Sequence, residues 1–345
     1  MAGTAAARLL DWDAAARLGG RLAGGPPIGR RAVLHEQFSE LVGDAERLVT
    51  GFTGLTIDGP PTRPVVMSRA EWVERNLRGF ERVIDPWAER ILGARREGAF
   101  AGVRRKVLAA QVGGLLGYLG RKVLGQYDLF GQSGAEDQLY FVVPNLVEME
   151  RRFRLPPRDF RLWLSLHEVT HRVQFGSVPW LRGHVQGLVD EYLGSVDLDA
   201  RKLVETLRRA LDEARRNRQW RSMGILFLLM TPEQRGVFRR MQAVMSLLEG
   251  HANYVMDGVA PGHVRGAERM RRVVKQRRKR NPLVQRALGI ELKVRQYDLG
   301  ETFVAGAVER SGMTGFNRVW ETPDHIPTLE EVVDPGAWVD RVVTG

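Results

Sequence analysis

The chain has 345 residues, 43% of them hydrophobic, so one large or two medium domains with a sizeable core are possible. It has no cysteine, which excludes disulfide bonds and thiolate metal ligands. The formal net charge is +11, a balance that attracts polyanions or acidic substrates. Residues 1–13 lack the apolar segment of a secretory signal, and the longest apolar runs are too short to span a bilayer. These features predict a cytoplasmic protein.

The N-terminal third is predicted to be helical. Apolar residues recur at helical spacing over residues 5–23 and 33–49, and a proline-rich loop at 59–64 follows them. Ser68 and Glu71 have the spacing of a capping box, which predicts the start of a long helix that Pro86 kinks or splits.

A glycine-rich helix is predicted over residues 103–125. Gly113, Gly117 and Gly120 leave one face of it smooth, which favours close contact with another helix. A dinucleotide-binding loop is not expected, because no strand precedes these glycines.

A polar loop at 128–137 leads to residues 139–143, which form the best strand candidate of the chain, ended by Pro144. Two interpretations of this strand stay open. It holds an extended peptide by edge pairing near the site described next, or it is a short buried connector.

A helix with metal-binding spacing is predicted to begin after Pro156 and to end near residues 176–179. It contains His167-Glu168-x-x-His171, which places two imidazoles one turn apart on one helix face, within reach of one metal ion. Glu168 would lie beside that metal and accept a proton from water. The alternative is a pair of core histidines with a surface glutamate. Apolar side chains predict that the helix is partly buried: Leu162, Trp163, Leu166, Val169 and Val173.

A hydrolytic zinc site needs a third protein ligand. Helices are predicted over residues 183–193 and 199–217, and Thr231-Pro232 begins another that runs to about residue 257. On that last helix Glu249 and His251 lie at opposite borders of the apolar stripe. Periodicity therefore allows either as the ligand.

The remaining C-terminal part contains a basic run at residues 265–280, a helix at 292–310 and a proline-punctuated tail with a short terminal helix. A solvated helix face is the favoured interpretation of the basic run. Binding of nucleic acid there is unlikely, because no aromatic residues interleave with the charges.

These elements together predict a mainly α fold with little β structure. We expect a single domain over residues 1–345, with a helical N-terminal part at about 1–135 and a metal-site part at about 136–345.

The motif His167-Glu168-x-x-His171 followed by Glu249-Gly-x-Ala252 resembles gluzincin-type metallopeptidases, in which the glutamate of a second helix is the third zinc ligand. The whole chain more closely resembles a bacterial family of zincin-like proteins, found mainly in actinobacteria and described as hydrolases. One branch is associated with biosynthesis of the deazaflavin coenzyme. The resemblance also rests on five further segments: Leu248-Glu-Gly-His251, Tyr254-Val-Met-Asp257, Gln296-Tyr297, Asn317-Arg-Val-Trp-Glu321 and Pro327-Thr-Leu-Glu-Glu331.

This resemblance implies a zincin-like core with zinc held by His167, His171 and Glu249, and with Glu168 as general base. Three further residues are candidates for supporting roles. His251 would donate to an oxyanion or replace Glu249 as a ligand, Asp257 would orient a ligand, and Tyr297 would polarise a carbonyl. Ordinary packing is at least as good an interpretation of each of these three.

The leading functional hypothesis is therefore a zinc-dependent hydrolase, a metallopeptidase that acts on a peptide or small amide with Glu168 as general base. The alternative is a non-peptidase accessory or binding protein linked to deazaflavin metabolism. Nucleic-acid binding ranks last, no membrane partner is expected, and the sequence leaves the oligomeric state open.

Overall fold

The computed structural model describes residues 8–92, 101–129, 138–195, 230–279 and 291–345, with side chains described at all of these except 91–92, 277–279 and 291–298. The described chain is mainly α-helical with one small sheet, which confirms the predicted fold class. No helix in these ranges has both the length and the apolar character to cross a membrane.

The elements in chain order are α1 (Trp12–Ala23), α2 (Arg31–Thr53), β1 (Arg63–Met67), α3 (Arg69–Leu92), α4 (Ala101–Gly120), β2 (Gly125–Tyr127), β3 (Gln138–Val142), α5 (Val143–Phe153), α6 (Pro157–Ser177), α7 (Leu181–Gly194), α8 (Pro232–His263), α9 (Ala267–Lys279), α10 (Glu291–Phe316), α11 (Leu329–Val333) and α12 (Pro335–Val339). Two short 3-10 helices, Asn317–Trp320 and Pro323–His325, lie between α10 and α11, and a short π-helix at Asp340–Thr344 follows α12.

The chain forms two compact units. The first contains Met1–Ala45 and Gly59–Arg172, and the second contains Glu46–Asp58 and Val173–Gly345.

In the first unit, glycines bring α1 and α4 into backbone contact. A Cβ atom on Gly113 would lie 2.5 Å from the carbonyl oxygen of Ala15, and one on Gly117 would lie 2.7 Å from that of Gly19. Any larger residue would separate the helices, so the packing role predicted for these glycines is confirmed.

The sheet of the first unit has the strand order β1-β3-β2. β1 pairs with β3 in parallel, and β2 pairs with it antiparallel. β3 confirms the predicted strand. The idea that its edge holds a peptide is wrong, however, because β3 is central and both of its edges are occupied. The sequence patterns also missed β1, where Pro64 is tolerated because β1 is an outer strand.

Several predicted boundaries shift. The helix predicted over residues 103–125 ends at Gly120, because Gly125 is already part of the strand paired with β3. α1 begins only at Trp12, since Asp11 caps it by accepting a hydrogen bond from the backbone N–H of Ala14. α3 continues through Pro86 without a break.

The capping box at Ser68 is confirmed, and so is the helix start at Thr231, where Thr231 and Gln234 form a second capping box. The helix that begins at Pro232 extends beyond the predicted end, to His263. The helix predicted over residues 199–217 lies outside the described residues, as does most of the loop at 128–137.

In the second unit, α8 and α10 approach each other at two glycines. A Cβ atom on Gly250 would lie 2.2 Å from the carbonyl carbon of Gly300, and one on Gly300 would lie 2.0 Å from the carbonyl oxygen of Ser246. Beside this contact, Phe303 and Trp338 pack edge to face at 5.6 Å, and Trp338 also contacts Phe316. α8 is therefore held in close backbone contact with α10, whose aromatic side chains pack on Trp338.

Candidate metal centre

The helix α6 is an inner helix whose apolar face is packed. Leu162, Trp163, Leu166, Val169 and Val173 are all buried, as predicted. His167 and His171 are only partly buried and lie one turn apart on another face. The helix thus presents two imidazoles on a face where they are partly accessible.

The two imidazoles converge. Nε2 of His167 lies 3.3 Å from Nε2 of His171, and the rings stand at 90° to each other. One carboxylate oxygen of Glu249, on α8, completes a group in which all three ligand atoms lie within 4.8 Å of one another. Within the described part of the chain, this is the one group of three or more such side chains close enough to hold a metal ion.

The donor set suits zinc. Two nitrogens that bind one tetrahedral zinc ion at about 2.0–2.1 Å lie about 3.4 Å apart. The separation of 3.3 Å between the two Nε2 atoms matches that edge. Two imidazoles and one carboxylate are also the ligands of catalytic zinc sites, which keep a fourth position for water or substrate. The three side chains therefore form a group able to hold a metal of this kind.

Glu168 is buried in the same helix, with 6% of its surface exposed. Its carboxylate lies against the backbone of Gly125 on β2, where a Cβ atom would be 2.8 Å from Oε1. This contact explains why residue 125 is a glycine, because any side chain there would collide with Glu168. A glycine inside a strand is itself a signal of close approach, but the signal was lost when residue 125 was assigned to a helix.

His251 takes no part in the group of three. It is fully buried, and its ring stacks on Phe316 and contacts Trp320 edge to face. Its Nδ1 accepts a hydrogen bond of 3.0 Å from Nε2 of Gln174. The structure thus brings Glu249, rather than His251, close to the two imidazoles.

Asp257 lies in a separate ionic cluster. Its carboxylate forms a 2.8 Å ion pair with Arg271, which also binds Glu301, and Lys275 contacts Glu301 at 3.4 Å. Burial raises the pKa of Asp257 to about 6, although Arg271 lowers it. The suggested role in orienting a ligand receives no support from these contacts.

Two members of this cluster belong to the predicted basic run, which forms α9. Arg271 pairs with both carboxylates, Lys275 contacts that of Glu301, and Met270 is fully buried. The side chain of Tyr297 lies outside the described residues.

Comparison with known proteins places the chain in a family. A crystal structure described as "a putative hydrolase with a novel fold", from Chloroflexus aurantiacus, is 32% identical to this chain. The alignment covers 96% of this chain and 98% of the other, with a TM-score of 0.73. No curated protein matches significantly. A model described as zincin-like metallopeptidase matches residues 10–339, nearly the whole chain, which therefore belongs to the zincin-like metallopeptidase family.

Proposed function

We propose that this protein is a zinc-dependent hydrolase of peptide or amide bonds, with zinc held by His167, His171 and Glu249. One observation carries the proposal. The three ligand atoms lie within 4.8 Å of one another, and the buried Glu168 follows His167 in the same helix. Family membership and the similarity to a protein described as a hydrolase support the same reaction class.

Zinc held by His167, His171 and Glu249 would polarise the scissile carbonyl as a Lewis acid and lower the pKa of a water toward about 7. Glu168 accepts the proton of that water as its oxygen attacks the carbonyl carbon. It then delivers the proton to the amine nitrogen as the carbon–nitrogen bond breaks. Helix α6 holds Glu168 next to His167, so the base has a fixed position relative to the ligands.

The sheet supports an extended peptide as the substrate. The backbone N–H of Val142 donates to Leu124, and that of Asp128 donates to Gln138, so these residues form the bonded pairs between β2 and β3. Bonded and non-bonded positions alternate along an antiparallel ladder, so Gly125, the residue after Leu124, points its N–H and C=O away from β3. A peptide that added to β2 would pair at Gly125, beside the carboxylate of Glu168.

The test combines metal analysis with turnover. We expect the purified protein to bind about one zinc per chain, as a catalytic site of this type does. On peptide libraries, we expect Glu168→Gln to keep the zinc and to lose on the order of 10²- to 10⁴-fold in kcat/KM, the contribution of a general base.

The matched control is Glu40→Gln, which alters an exposed carboxylate paired with Arg158 and should leave turnover unchanged. A correctly folded protein that binds no zinc would defeat the proposal. So would a Glu168→Gln variant that hydrolyses peptides at the rate of the wild type.

A further inference from the structure

Gln174 is a buried polar residue on α6, one turn beyond His171, with no exposed surface. Its Nε2 donates to the carbonyl oxygen of Leu248 at 3.0 Å and to Nδ1 of His251 at 3.0 Å. A side-chain amide has two N–H donors, and these two bonds use both of them. Burying an amide is costly unless it is bonded in this way, so Gln174 has a defined orientation toward α8.

The two acceptors lie on either side of Glu249. The carbonyl of Leu248 and the N–H of Glu249 are the two ends of one planar peptide group. A bond to that carbonyl therefore acts directly on the backbone that carries the Glu249 side chain. The bond to His251 holds α8 again, three residues beyond Leu248.

We propose that Gln174 is a positioning residue for the metal centre, which holds α8 at Leu248 so that the carboxylate of Glu249 reaches the two imidazoles. This inference rests on the proposed zinc function. Because Gln174 and His171 belong to one helix, α6 then carries both the two imidazoles and the side chain that positions Glu249. Residues of this kind behind a metal ligand commonly change metal affinity by about 10- to 100-fold when replaced.

The experiment is a double-mutant cycle on zinc affinity in the full chain, measured by competition with a chromogenic chelator. Gln174→Met has a similar length and no N–H donors. We expect it to weaken zinc binding about 10- to 100-fold. In a Glu249→Gln background, which already lacks the third ligand, the same change should have little further effect.

Thr170→Val is the matched control. Thr170 is equally buried in α6, but its hydroxyl donates within the helix, to the carbonyl of Leu166. We expect wild-type zinc affinity from it. If Gln174→Met does not fold, as judged by circular dichroism, Gln174→Asn takes its place in the cycle, because it keeps the amide but is one methylene too short to reach α8.

The outcomes separate the two proposals. A wild type without zinc defeats the metal site itself. Zinc binding that Glu249→Gln weakens and Gln174→Met leaves unchanged defeats only the positioning role. Equal losses from Gln174→Met in both backgrounds also defeat that role, because its effect would then not pass through Glu249.

Discussion

The carboxylate of Glu168 lies directly against Gly125, where an added Cβ atom would be 2.8 Å from both Oε1 and Cγ. The outer strand of the sheet thus covers the glutamate that we propose as the general base. Any side chain at residue 125 would displace the Glu168 carboxylate from this position.

Gly125→Ala is expected to displace the Glu168 carboxylate while leaving the zinc ligands in place. Because a misplacement of about 1 Å can cost on the order of 100-fold in rate, kcat/KM on a peptide substrate should fall at least about tenfold with zinc content unchanged. Gly114→Ala is the control, since a Cβ atom there meets nothing within 4 Å. Full activity in Gly125→Ala would show that this contact does not constrain the base.

The neighbouring glycines Gly113 and Gly114 on α4 should respond oppositely to alanine. A Cβ atom on Gly113 would lie 2.5 Å from the backbone of Ala15, so Gly113→Ala should lower the free energy of unfolding by about 1–3 kcal/mol. Gly114 faces open space, and Gly114→Ala should raise it by about 0.5–1 kcal/mol. Urea denaturation of both variants measures the difference, and equal effects would contradict the close packing of α1 and α4.

Removal of zinc is expected to destabilise the protein. Zinc at a free concentration 100 times its Kd would add about 2.7 kcal/mol to the free energy of unfolding. A chelator should therefore lower the melting temperature, and added zinc should restore it. The variant His167→Ala should show no such response, because it lacks one of the proposed ligands. A chelator effect of the same size in that variant would point to a different metal site.

The ionic cluster at Asp257 should make stability depend on pH. Burial raises the pKa of Asp257 from 3.8 to about 6, so the folded state retains a proton that the unfolded chain has already lost. The stabilisation from this protonated form is complete below about pH 4 and is lost as the pH rises to about 6. The unfolding free energy of the wild type, relative to Asp257→Asn, should decline across that window. Chemical denaturation at four pH values tests this, and a constant difference would refute it.

Local features of the fold could be predicted from the sequence. The capping boxes at Ser68 and Thr231, the helix α6 and the strand β3 all depend on neighbouring residues, because helix hydrogen bonds link positions four apart and caps act within one turn. The His167-Glu168-x-x-His171 spacing falls in the same class, since a helix alone sets the distance between its two imidazoles.

Tertiary structure decided the rest. Helical periodicity left Glu249 and His251 equally suited to be the third ligand, and tertiary packing distinguished them. The ring of His251 is enclosed by Phe316 and bonded to Gln174, while the carboxylate of Glu249 lies beside the imidazoles. The end of α4 and the strand at Gly125 likewise depended on pairing with β3. The sequence by itself therefore determined the helices and one pair of proposed ligands, whereas the proposed third ligand and the covering strand required contacts between residues far apart in the chain, which no local pattern encodes.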